Sequence, residues 1–265
     1  MKYVIDHDFH IHSNLSSCSN DENETPENIL QSAVDNGYTK ICLTDHFWDE
    51  NVMGASPWYK LQDYAHISKA LPLPQHEKVK FYFGCETDMD KFCTIGITKE
   101  RMDSLDFIII PTTHMHMMGF VLDEADDALE RRAIKYVERL DALLNMDLPF
   151  SKIGIAHLTC PLISTVDETS HIRLIDMVSD ADFTRIFTRA AEVGLGIELN
   201  FNPFKYTEEQ LERVLRPYRI AKKCGCKFYF GSDAHYTGEL AKSREKFEFI
   251  AEKLDLQEAD KFMFA

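Results

Sequence analysis

Seven short runs rich in Ile, Val, Phe or Tyr recur at residues 3–12, 40–46, 80–87, 106–114, 153–158, 195–200 and 227–235, with longer segments between them. Each run closes on a polar or turn-forming cluster, as strands do. Thr25-Pro26-Glu27 reads as an N-cap with proline at the first helical position, opening a helix that stops near Gly37. Residues 124–146 place Leu129, Ala133, Val137, Leu140 and Leu144 at helical spacing. Further helices are expected over 180–193, 207–224 and 238–254, the first two ended by Gly194 and Gly225. Pro217 predicts a kink or break in the second of these. Strands that alternate with helices pair in parallel, because parallel neighbours need helical crossovers. An open doubly wound sheet and a closed barrel both satisfy this pattern. No Gly-x-Gly-x-x-Gly follows the first strand, so the open dinucleotide-binding form lacks its usual signature.

The polar residues at the strand ends favour the barrel. The runs end in His10-Ile11-His12, Asp45-His46, Glu86, His114-Met115-His116, His157, Asn200 and Asp233-Ala234-His235. In a β/α barrel these ends form one rim, where active sites are assembled. His, Asp and Glu are ligands that suit zinc, manganese and iron. Alternation along a strand puts His10 and His12 on one side, able to chelate one ion. Asp8 shares that side and is expected to accept a hydrogen bond from a ligand histidine. Asp233 and His235 repeat the spacing on the last strand. The set reads as a polynuclear metal site.

Asp8-Phe9-His10-Ile11-His12-Ser13, Leu43-Thr44-Asp45-His46, Gly84-Cys85-Glu86, His114, His157 and Ser232-Asp233-Ala234-His235 resemble the motifs of the PHP (polymerase and histidinol phosphatase) superfamily. They occur in the family's order, and the resemblance runs from Tyr3 to about Tyr236. It implies a single catalytic domain over residues 1–265, folded as a distorted seven-stranded (β/α)7 TIM-like barrel with two or three divalent ions at its mouth. It also implies hydrolysis of phosphate esters by a metal-bound hydroxide, often of monoesters such as histidinol phosphate. Carried over, the first metal takes His10, His12, Glu86 and Asp233. Glu86 bridges to a second held by His114 and His157, and His46 with His235 holds a third. Family members often supply one more ligand five or six residues after the His-x-His pair. Here Ser17 and Cys18 stand there, and Cys18 is either a thiolate ligand or a small packed residue.

Other residues carry weaker signals. His116 is read as a pocket residue that gives a proton to the leaving group, with the alternative that it replaces His114 as ligand. Asn200, Arg173 and Lys205 follow the fifth and sixth strands as candidate substrate contacts. Trp48, Trp58 and Tyr59 suggest that the 47–60 loop walls a pocket. The net charge of −15 disfavours long nucleic acids and anionic membranes, which are bound by basic surface. A mononucleotide or oligonucleotide diesterase and a non-catalytic metal-bound domain are the competing readings. No basic-then-apolar leader precedes Tyr3, and the seven cysteines lack scaffold spacing, so a reduced cytoplasmic chain is expected. Cys224-Gly-Cys226 is too tight for a zinc knuckle.

Overall fold

The computed structural model describes residues 1–264. The chain runs β1 (His7–Ile11), α1 (Pro26–Asp35), β2 (Lys40–Leu43), β3 (His46–Phe47), α2 (Tyr64–Ile67), β4 (Lys80–Phe83), β5 (Cys85–Thr87), α3 (Lys99–Met102), β6 (Ile108–Ile109), α4 (Leu129–Leu144), β7 (Ile153–Ile155), α5 (Ser170–Met177), α6 (Asp180–Val193), β8 (Gly196–Leu199), α7 (Glu208–Lys223), β9 (Lys227–Phe230) and α8 (Glu239–Lys253). Every strand pairing is parallel. One sheet has the order β1-β2-β4 and the other β3-β5-β6-β7-β8-β9.

Two expected strands are each divided in two. The 40–46 run gives β2 and β3, interrupted at Thr44-Asp45, and the 80–87 run gives β4 and β5, interrupted at Gly84. Gly84 is where the chain leaves one sheet for the other. A Cβ there would meet the Phe107 carbonyl oxygen at 2.3 Å, so a side chain is excluded by backbone. At the far edges, Asp233 N–H donates to the His10 carbonyl and His12 N–H to the Ala234 carbonyl, bringing the ends of β1 and β9 together.

The helices follow their capping signals. Thr25 and Ser179 accept backbone N–H groups of the first turns of α1 and α6, and Thr207 with Gln210 forms a capping box on α7. The expected 124–146 helix is shorter, since residues 124–126 form a separate tight turn before α4. Pro217 does not break α7, whose buried face of Leu211, Val214, Leu215, Tyr218 and Ala221 holds it in place. α5 went unforeseen.

Two apolar clusters are buried. The larger lies between strands and helices. The smaller gathers Phe9, Ile109 and Tyr229 from the strands, and Phe107 and Ala156 from their flanks, with Phe262 and Phe264 from the C-terminal segment. Phe107 and Phe264 stack with centroids 4.7 Å apart.

Candidate metal centre

The strands are shorter than the sequence pattern suggests, so most candidate ligands sit on the first residues of the connections. β7 ends two residues before His157 and β9 three before Asp233, and both residues take left-handed backbone, with φ of 40° and 56°. Such a conformation cannot continue a strand. β6 ends at Ile109, and His114 and His116 lie in an irregular segment and a turn. Strand rise therefore does not set their separation. The register of β1 shifts between Asp8 and Ile11, a stretch that includes His10, yet His10 and His12 meet as expected, with Nε2 atoms 3.0 Å apart.

Around that pair the donors converge. Glu86 Oε2 lies 3.4 Å from His10 Nε2 and 3.3 Å from His12 Nε2, and Asp233 Oδ1 lies 3.4 and 3.2 Å from the same atoms. Four donors at about 2.1 Å from one ion stand about 3.0–3.4 Å apart, so these edges fit a single cation. Glu86 Oε1 faces His157 Nε2 at 3.2 Å and His114 Nε2 at 3.9 Å, which makes a second set. His12, His46 and His235 make a third. Asp233 and His235 thus serve different sets rather than one shared chelate. Both oxygens of Glu86 and Nδ1 of His46 are buried without a hydrogen-bond partner. Orphaned donors of this kind fit a cation. Burial alone would raise the Glu86 carboxyl, but His46 and His10 hold it well below the ordinary glutamate range.

The ligand rings are held from behind. His10 Nδ1–H donates to Glu198 Oε1 at 2.6 Å, and His12 Nδ1–H to Ser16 Oγ at 3.0 Å, whose own hydroxyl donates to Asp45. His114 Nδ1–H donates to Asp88 Oδ2 at 3.0 Å, and the Tyr59 hydroxyl donates to the same oxygen. His235 Nδ1–H donates to the Asp233 carbonyl at 2.8 Å. These bonds fix the tautomer that leaves Nε2 free as a ligand. His46 is turned the other way, with Nδ1 3.0 Å from Glu86 Oε2.

Asp8 does not take the role expected of it. Its Oδ1 accepts the backbone N–H groups of Ser232 and His10 and joins β1 to the segment after β9. Burial raises its carboxyl to about 7. Glu198 holds His10 instead, and neither it nor Asp88 was singled out from the sequence. A lone carboxylate inside the apolar run Gly196-Ile197-Glu198-Leu199 was the available signal.

A cavity of about 830 Å³ opens over the cluster, lined by Glu86, Asp233 and His114 at its floor and by Trp58, Met118 and Leu162 along its walls. Of Trp48, Trp58 and Tyr59 in the 47–60 loop only Trp58 lines it, edge-on to His46 at 4.8 Å. Trp48 and Tyr59 are buried behind. His116 lines the cavity, and burial followed by the charge of His114 pulls its imidazole down to about 4. Cys18 also lines it but belongs to none of the convergent sets, and burial, then Glu86, pushes its thiol up to about 12.

Arg173 and Lys205 are not among the residues lining this cavity. Arg173 lies exposed on α5, where Asp167 takes its guanidinium at 2.7 Å, and Lys205 sits exposed in a short turn. The unforeseen α5 is what carries Arg173 away. Asn200, half-buried after β8, is also outside the lining.

A parallel α/β fold with clustered histidines and carboxylates at its strand ends has the form of a metal-dependent hydrolase. The chain belongs to the PHP domain family, whose model matches residues 8–263. It is 25% identical over 258 residues to a probable histidinol-phosphatase of Deinococcus radiodurans, across 88% of this chain and 87% of that protein. Its fold is similar to histidinol phosphate phosphatase of Lactococcus lactis, solved with zinc, L-histidinol and phosphate. There the TM-score is 0.65 at 19% identity, over 97% of this chain and 98% of the other. A putative histidinol phosphatase of Listeria monocytogenes gives a TM-score of 0.57 at 11% identity, over 91% of this chain and 99% of the other. No helix among the described residues is long and apolar enough to cross a membrane.

Proposed function

We propose that the chain is a metal-dependent phosphomonoesterase of a small phosphorylated metabolite, with histidinol phosphate as the first candidate. The observation that carries this reading is the 3.0–3.4 Å convergence of His10, His12, Glu86 and Asp233 beneath an open cavity. On this reading the two sheets form one distorted seven-stranded barrel, each divided strand counting once, and residues 1–265 are a single catalytic domain. Two or three divalent ions, zinc, manganese or iron, fit the donors. His10, His12, Glu86 and Asp233 hold one, and Glu86, His114 and His157 a second. His46 and His235 hold a third. The free cysteines support a cytoplasmic location.

When bound, such ions lower the pKa of water and offset charge on phosphoryl oxygens. The chain's own residues do the rest. Glu198, Ser16 and Asp88 hold the Nδ1 protons, so the Nε2 lone pairs face inward. Trp58, Met118 and Leu162 give the leaving group an apolar wall to lie against. His116 stands at the wall as the proton donor to the leaving oxygen. An arriving phosphate dianion favours its protonated form, which is the form that gives up a proton. The test is a panel of phosphomonoesters, histidinol phosphate included, offered to the zinc- or manganese-loaded protein. Release of inorganic phosphate from at least one is expected; release from none of them, with cleavage of an added phosphodiester to its monoester and alcohol instead, would overturn the reading.

A further inference from the structure

Glu198 is wholly buried in β8, between Ile197 and Leu199, which are buried as completely. A carboxylate so placed needs donors to replace the water it lost. It finds them in two different places. Oε1 accepts His10 Nδ1–H at 2.6 Å, and Oε2 accepts the backbone N–H of His157 at 2.9 Å. His10 stands in the first ligand set and His157 in the second.

We propose that Glu198 is a positioning residue that ties the two metal positions together, fixing the ring of His10 with one oxygen and the backbone of His157 with the other. Two further observations support the link. His157 holds φ at 40°, a conformation that a side-chain-bearing residue keeps only when its surroundings impose it, and Glu198 Oε2 is one such constraint. Gly231, just past β9, leaves the room, since a Cβ there would lie 2.2 Å from Glu198 Oε1 and 2.5 Å from His10 Cβ. The inference rests on the reading of the cluster as a metal centre.

Glu198→Gln tests it with zinc alone as the probe. The amide loses the negative charge that strengthens both bonds, so its one acceptor holds its partner more weakly while its NH2 opposes the other donor. Competition with a chromophoric chelator should show both zinc positions weakened together by about 10- to 100-fold, the scale of lost outer partners. The circular dichroism of the metal-free protein should be unchanged. In 15N-histidine NMR of the zinc-loaded protein, the hydrogen-bonded Nδ1–H signal of His10 should shift or vanish. Wild-type affinity at both positions, or a loss confined to one, overturns the proposal. Should Glu198→Gln fail to fold, Glu198→Asp carries the test. Its carboxylate is one methylene too short to span both partners, so at least one position should weaken about 10-fold, and wild-type affinity at both again overturns the proposal. A wild-type protein that binds no zinc overturns the metal reading and the inference with it, whereas a zinc-binding wild type matched by its variants overturns the inference alone.

Discussion

Glu86 offers its two oxygens to different histidines, Oε2 to His10, His12 and His46 and Oε1 to His157 and His114. A neutral amide in that place keeps the shape but removes the charge that lets two cations share it. Glu86→Gln should bind fewer zinc ions per chain than the wild type, and turnover should fall by at least about 100-fold, more than lost outer partners cost. Full zinc content at the wild-type rate would put the shared ligand elsewhere. The segment after β6 supplies a second contrast. His114 points Nε2 at Glu86 and is held by Asp88, whereas His116 only lines the cavity. His114→Ala should therefore lose zinc, and His116→Ala should keep it while turnover drops by roughly 100-fold, the range for a general acid. Zinc analysis of both variants checks this, and the reverse pattern would exchange their roles. The converging donors were legible because His, Asp and Glu at successive strand ends have few other uses. Glu198 showed only as a lone carboxylate in an apolar run, and Asp88 not at all, because a residue that orients another carries no spacing of its own. It is recognised only by what it touches.

At the scale of elements, the sequence pattern found every region that forms a strand but overstated most lengths. Apolar character continues through Ile110 and Leu158, which are buried in connections rather than in strands. Hydrophobicity reports burial, and burial outlasts the hydrogen-bonded ladder here. The left-handed residues His157 and Asp233 lie two and three residues past the last paired residues of β7 and β9, so the ladder has already ended where the chain turns. The division at Gly84 has a sharper physical basis. Because the Phe107 carbonyl fills the place of a Cβ, Gly84→Ala should force β4 and β5 away from β6. A loss of about 1–3 kcal/mol is expected, the range for inserting a group into a packed interior, read from urea unfolding. An unchanged midpoint would mean that the backbone yields without cost.

For the whole molecule, a chain of net charge −15 is an improbable receptor for a dianion unless positive charge is concentrated where the phosphate binds. Divalent ions held at the strand ends would meet that need, because local charge governs binding there. The parallel fold supplies the scaffold by bringing ligands from β1, β3, β5 and the segments after β6, β7 and β9 to one end. The parallel α/β class was readable from the alternation of strands and helices. The packing of Phe262 and Phe264 into the smaller apolar cluster was not, since two aromatics outside any helix or strand have no period to reveal them. The central claim is that metal held by this cluster is what makes the chain a phosphatase. Its most direct test strips the purified protein with a chelator and follows phosphate release from histidinol phosphate before and after zinc or manganese is returned. The account predicts that release stops on stripping and returns with the metal in the wild type but not in His10→Ala. Release that persists in the stripped protein, or that returns equally in His10→Ala, would contradict it.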